Sequence, residues 1–414
     1  MHIIQSPLFD FEEFIKIKRN DRLTMVLESL PAEKLMVVLE REHWTGRKGY
    51  PARGMWSALI AGILYQCDSI AETIRMLERD KDTRLICGFA RDKIPGPDAF
   101  GRFLKKLVKH EALLEECFSN LVDRLREELT GFGEKVAVDS TDIKAYSNGN
   151  RKNPSDGDAS WGVKGAGKHA DEEKEGKNKD KYSWFGYKLH LVVDAIYELP
   201  ISFTLTPANE DDGKQMKPLL IKAGLDKEEK NPWAIIADKR YDSKANYLTI
   251  FKECHAIPII PLIMQKDWES PDICNLKGTP TCYCGLEMVY WGRDGNYLKY
   301  RCPDKLGKCK CLARFKCSAS SYGYVLKLPV MKEDPRRHVP VPRESKKWSR
   351  LYKLRSSIER VNSRVKDLLG LRRITLRGIA KVTVRSILSL LVMLAAAVGM
   401  VKRDRLKEIR SLVT

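Results

Sequence analysis

The chain has 414 residues, 43% hydrophobic and 31% charged, a balance that excludes a disordered or fibrous protein and leaves room for two or three globular domains. Its 74 Lys and Arg against 55 Asp and Glu give a formal charge of +19. A surplus of that size points to a polyanionic partner, nucleic acid being the commonest, with a merely solubilising basic surface as the alternative.

The opening MHIIQSPLFDFEEF lacks the basic start and apolar core of a signal peptide, so a reducing cytoplasm is the expected location. Residues 1–130 read as a helical domain. MWSALIAGILYQC, SIAETIRMLERD and DAFGRFLKKLVKHEALLEECFSNLVDRLREEL repeat apolar residues at three- and four-residue steps. Pro95-Gly96-Pro97 interrupts the pattern, and Asp98 is suited to cap the next helix. The helices Ser69–Asp80 and Asp98–Lys109 could form a helix-turn-helix-like unit for DNA ends, or the domain could be a dimerisation module.

From Lys135 the texture becomes β-rich. KVAVDST, YKLHLVVDAI and LPISFTLTP read as strands, NEDDGKQMKPLLIKAGL as a capped helix, WAIIADKRYDS as a strand and turn, and HAIPIIPLI as a further strand. The polar stretch 148–181 reads as a mobile loop. This order predicts an α/β fold with a mixed sheet across 131–270, a Cys-rich β insert at 271–320, and the remainder of the same domain at 321–414. Residues 343–369 read as helical, with Gly370 as the C-cap. Ser386–Val401 is 16 residues without a charge, short of the roughly 20 needed to span a bilayer, so a buried core helix is expected there and no membrane contact.

Two carboxylates close apolar strands: Asp139 in AVDST and Asp238 in IIADKRYDS. Strand ends at a sheet rim are where ligands bind in open α/β sheets, although an Asp there is often only a turn residue. Asp142 competes with Asp139 but does not end the apolar run. In LYKLRSSIERVNSRVK, residues Tyr352, Arg355, Glu359 and Lys366 project within roughly a 60° sector of an ideal helix. The acid can hold a metal while the two cations and the phenol hold phosphate; a solvated face laced by salt bridges is the alternative. Residues 340–381 carry 13 Lys or Arg against 3 Asp or Glu, enough to track a DNA backbone.

The spacing Tyr, two residues, Arg, three residues, Glu, six residues, Lys resembles the signature of a large group of bacterial insertion-sequence transposases, the DDE transposases. VDST and ADKRYDS resemble that group's first and second acid motifs, and GYKLH and TPANEDD resemble its connecting segments. The stretch from Met55 through IPGPDAFGRFLKKL resembles the helical domain that precedes the catalytic core. Lys239-Arg240 departs from the group, which more often has a small residue before the Tyr. The resemblance implies a ribonuclease-H-like core that cleaves and joins double-stranded DNA at element ends. In it Asp139, Asp238 and Glu359 hold two Mg²⁺ or Mn²⁺ ions, and Tyr352, Arg355 and Lys366 bind phosphate. Two ends must meet, so a homodimer is the simplest working state. A nuclease without joining activity and a non-catalytic DNA-binding derivative are the competing readings.

Eight of the 11 cysteines lie between Cys254 and Cys317. In a reducing compartment such a cluster suggests metal more than disulfides. Cys282, Cys284, Cys302 and Cys309, with Cys311 and Cys317 nearby, are candidate zinc ligands, against a small β insert with buried reduced thiols. Core packing is the expected role of Trp268 and Trp291.

Overall fold

A computed structural model describes residues 21–42, 49–164, 182–263, 274–275, 278–312, 317–331 and 334–410. The N-terminal part is helical: α1 (Asp21–Ser29), α2 (Glu33–Arg41), α3 (Ala52–Leu64), α4 (Ile70–Arg79), α5 (Lys81–Ile86), α6 (Pro97–Lys109) and α7 (Glu111–Glu128). Local sequence fixes several of these ends. Ser69 caps α4 by accepting from the Glu72 amide, and Asp80 caps α5 by accepting from Asp82 and Thr83. The expected helix-turn-helix pair is not contiguous, because α5 and a 3₁₀ turn at Arg91–Lys93 separate α4 from α6.

A mixed sheet follows: β1 (Lys135–Lys144), β2 (Ser160–Lys164), β3 (Tyr182–Asp194), β4 (Pro200–Pro207), β5 (Ala234–Ala237) and β6 (Ile257–Ile259), with α8 (Asp212–Lys222) and α9 (Lys244–Leu248) between strands. The strand order is β2-β3-β1-β5-β6, and β4 also pairs with β3. Strands β1, β3 and β4 are antiparallel neighbours, whereas β1, β5 and β6 run parallel. Strand β2 lies inside the stretch read as a loop. It is an edge strand that pairs with Tyr182–Gly186 of β3, a contact that its Gly- and Lys-containing sequence does not announce. Residues 148–159 of that expected loop form turns and bends, and 165–181 lie outside the described residues.

The apolar C-terminal segment forms α12 (Ile379–Lys402), which is long and apolar enough to cross a membrane; 89% of its most apolar window is buried inside the fold. It packs against α1, α7 and β4, so the N-terminal helices and the sheet share one hydrophobic core through it. That packing supports the core-helix reading.

A second, smaller sheet is made of β7 (Val289–Asp294), β8 (Tyr297–Arg301) and β9 (Val325–Pro329). Its own core holds Cys274, Cys282, Met288, Leu298, Tyr300 and Leu328. The sheet therefore runs past residue 320, where the insert was expected to end. Trp291 does not pack in that core. It is 57% exposed, and its ring lies 4.3 Å from the Arg301 guanidinium, which also lies 4.6 Å from the Tyr322 ring. Trp268 lies outside the described residues.

Candidate active site

Parallel pairing of β1 with β5 stops at Val138 beside Ala237, so Asp139 and Asp238 follow it side by side. Asp238 is the first residue past β5, whereas Asp139, expected to close its strand, lies midway along β1, which continues against β3 to Lys144. Val136, Ala137, Val138 and the whole of Ala234–Ala237 are buried, which anchors both carboxylates on rigid backbone. Each acid accepts a hydrogen bond from the amide that follows it: Asp139 Oδ1 from Ser140 N at 2.8 Å, and Asp238 Oδ1 from Lys239 N at 2.7 Å. One oxygen per carboxylate is thereby fixed. Burial raises the Asp139 carboxyl to about 6; the Ser140 amide, Lys164 and Arg355 oppose the rise, and the Asp238 charge adds to it. The phenol of Tyr241, on the turn after Asp238, is fully buried, and among the described residues its hydroxyl has no hydrogen-bond partner. After burial, the charges of Asp139, Asp212 and Asp238 dominate its surroundings and push its pKa up.

The expected helix carrying the third acid is segmented. Helix α10 (Lys346–Tyr352) passes through a 3₁₀ turn at Lys353–Arg355 into α11 (Ser356–Ser363), and a π-turn at Arg364–Leu368 closes it. The ideal-helix projection does not hold through the two irregular turns, which rotate the residues beyond them. Tyr352, Arg355 and Glu359 remain together. Trp348 stacks on Tyr352 at 4.8 Å, the Arg355 guanidinium lies 5.8 Å from the Tyr352 ring, and Arg355 Nη2 is 2.8 Å from Glu359 Oε1. Burial works against the Arg355 charge, but Glu359, Tyr352, Asp238 and Asp139 outweigh it and hold its pKa above the usual arginine value. Arg355 thus lies in the field of all three acids.

Lys366 departs from this group. Its Nζ is 3.1 Å from Asp142 Oδ1, and Lys164 Nζ reaches the same oxygen at 3.3 Å, while Tyr182 donates to the other. The competing acid is thus neutralised by cations. Beside it opens a recess of about 420 Å³ lined by Asp142, Lys144, Tyr182, Lys366, Arg372 and Arg373.

Among the described residues, no three His, Cys, Asp or Glu side chains converge closely enough to hold a metal ion. For the acids, the reason is visible in Glu359, which is engaged by Arg355. Of the cysteines expected as zinc ligands, Cys282 and Cys302 are buried, and Cys284 and Cys309 are half-buried. A hydrogen bond with Cys311, together with nearby Cys282 and Cys317, pushes Cys284 up to about 11. Cys309 is raised by burial and by the neighbouring Asp304 and Cys302.

The sequence reading passed over the residues beneath the two aspartates. Asp212 is buried and receives Lys188 Nζ at 3.0 Å and Ser140 Oγ at 3.0 Å on one oxygen, and Arg240 Nη1 at 3.3 Å on the other. The clue was present in GYKLH and TPANEDD, where Lys188 interrupts an apolar strand and Asp212 opens a helix.

A family model described as the transposase DDE domain matches residues 130–395, and a second, described as a transposase domain, matches residues 9–106. No curated protein matches the chain. Among solved structures, the chain is similar to one described as a piggyBac transposase synaptic complex with hairpin DNA, at 10% identity and a TM-score of 0.35, covering 94% of this chain and 78% of that one.

Proposed function

Because this chain belongs to the DDE transposases, which move DNA segments by metal-dependent strand cleavage and transfer, we propose that Asp139, Asp238 and Glu359 are its three catalytic acids. The observation that carries this reading is the placement of Asp139 and Asp238 side by side just past the last β1–β5 pair, Val138 and Ala237, with Arg355 tying Glu359 to the same spot. The sheet order, four antiparallel strands continued by two parallel ones, supports a ribonuclease-H-like core, and the three-stranded sheet interrupting it supports a β insert.

The residues fit a divalent cation. Burial and the Asp238 charge hold the Asp139 carboxyl at about 6 against the opposing Lys164 and Arg355 charges, and among the described residues the buried Tyr241 hydroxyl, in the field of both acids, has no hydrogen-bond partner. When bound, Mg²⁺ or Mn²⁺ supplies Lewis-acid activation of the attacking oxygen and stabilises the leaving oxygen in an in-line displacement at phosphorus.

The protein's own work is orientation. The Ser140 and Lys239 amides hold Asp139 and Asp238 in one rotamer each. Arg355 has two uses: it holds Glu359 in the free protein, and on meeting a DNA phosphate it exchanges that carboxylate for the phosphate, leaving Glu359 to join the aspartates. Tyr352, stacked on Trp348, keeps its phenol in the field of Arg355, Asp238 and Glu359, where it would hydrogen-bond a phosphate. Lys366 with Lys144, Arg372 and Arg373 gives the adjacent recess a net positive lining suited to the DNA backbone. The helical region up to residue 130 binds element ends or pairs two copies in a homodimer.

The test is Mg²⁺-dependent nicking of the element's own terminal DNA by wild type and by Glu359→Gln, with binding followed in parallel. Wild type should cut, and the variant should bind without cutting. Binding by both with cleavage by neither, under any divalent metal, would sink the catalytic assignment.

A further inference from the structure

The Asp212 carboxylate touches both segments that carry the aspartates. Its Oδ1 accepts from Ser140 Oγ at 3.0 Å, and Ser140 directly follows Asp139. Its Oδ2 lies 3.3 Å from Arg240 Nη1, two residues beyond Asp238. Lys188 of β3 neutralises it at 3.0 Å and also donates to the Glu210 carbonyl at 2.7 Å. A second tie lies alongside: Asn246 Nδ2 donates to the Gly213 carbonyl at 3.1 Å and to the Tyr241 carbonyl at 3.0 Å, joining the start of α8 to the turn after Asp238. His190 is fully buried against the same pair, 4.0 Å from Asp212 Oδ1 and bonded to Thr206 Oγ1 at 2.9 Å.

Fold stability does not explain this arrangement. Lys188 and Asp212 are 8% and 6% exposed, and a pair so buried loses most of its attraction to desolvation; an apolar pair of similar volume is often as stable. An apolar pair could not hold Ser140 with one oxygen and Arg240 with the other. Resting on the assignment of Asp139 and Asp238 as metal-holding acids, we infer that Asp212 is a positioning residue, a salt-bridged strut that sets the spacing of those two carboxylates for a divalent cation. It never touches DNA or the ion. Lys188 compensates its charge, and Arg240, 38% exposed, closes the strut on the solvent side.

The experiment is a Mn²⁺ titration of the full-length protein followed by the electron paramagnetic resonance signal of free Mn²⁺, beside end-DNA binding, Mn²⁺-supported cleavage and thermal melting. The variants are Arg240→Ala, Arg240→Lys and the charge-free pair Lys188→Met/Asp212→Leu. A positioning strut predicts that Arg240→Ala and the pair weaken Mn²⁺ affinity by roughly 10–100-fold while end-DNA binding stays within about twofold. Arg240→Lys should recover part of the loss, and the pair should melt close to wild type. Wild-type Mn²⁺ affinity in Arg240→Ala overturns the inference, even if the double variant fails to fold. Asp139→Asn separates the two readings. If wild type and Asp139→Asn take up Mn²⁺ equally, the acid assignment itself fails, and the strut with it.

Discussion

Arg355 Nη2 lies 2.8 Å from Glu359 Oε1, one helical turn away, in a pair whose side chains are 26% and 52% exposed. Such a pair contributes only about 0–1 kcal/mol to stability. Its importance lies in what Arg355 does next, since the same guanidinium senses Asp139 and Asp238 across the site.

Arg355→Ala should therefore melt within a few degrees of wild type while cutting end DNA at least roughly tenfold more slowly, the scale of one lost charge-assisted phosphate contact. The logarithmic salt dependence of end-DNA binding should flatten by about one phosphate's worth. Fluorescence anisotropy at four salt concentrations measures the slope. An unchanged slope would remove Arg355 from the DNA contacts.

The pH dependence follows from Asp139, whose carboxyl is raised to about 6, chiefly by burial. A raised carboxyl means that between the ordinary carboxylate value and about pH 6 the native state holds a proton that the unfolded chain has lost. Stability from this group is full at low pH and falls as pH rises through that window. A cation substitutes for the proton once Asp139 ionises. Mn²⁺ should consequently raise the melting temperature more at pH 7.5 than at pH 5; equal shifts at both would contradict the argument.

Glu198 ties α11 to the β3–β4 turn. Its carboxylate is 5% exposed and meets Arg360 Nη2 at 2.7 Å, Arg364 Nη2 at 3.0 Å and Arg410 Nη1 at 3.6 Å. Glu198→Ala leaves the largely buried Arg364 without its counter-charge and should cost about 3 kcal/mol. Urea unfolding checks the figure. Because α11 also carries Glu359, cleavage by this variant should fall at temperatures where the protein is still folded.

Gly186 has φ +157°, and a Cβ there would stand 2.1 Å from the Ile143 carbonyl oxygen and 2.7 Å from the Ala145 nitrogen. Both obstacles are backbone, so neither can move aside as a side chain would. Gly186→Ala should separate the end of β1 from β3 and cost at least roughly 1–3 kcal/mol. A melting temperature equal to wild type would show that the strand can rebuild its register.

The two aspartates were legible because each ends a short apolar run, a local signal that needs no knowledge of the partner strand. Glu359 was legible through its spacing from Tyr352, Arg355 and Lys366, although the irregular turns at 353–355 and 364–368 break the ideal helix and send Lys366 to Asp142 instead. Strand β2 was missed because an edge strand in a polar stretch owes its structure to pairing with β3 rather than to its own residues. The cysteine cluster was legible as a cluster, and the fold places Cys274 and Cys282 in the core of the small sheet.

Sequence alone determined the kinds of element, the acids that close the two short apolar runs, the basic surroundings of the third acid and the burial of the last helix, because periodicity and charge act over a few residues. Only the tertiary structure decided that Val138 lies beside Ala237, so that Asp139 and Asp238 become neighbours about a hundred residues apart in the chain. It likewise decided that Asp212, Lys188, Ser140 and Arg240 meet in one buried network. Those contacts join four separate elements, and their energies exist only once the sheet has closed and water has been excluded from between them.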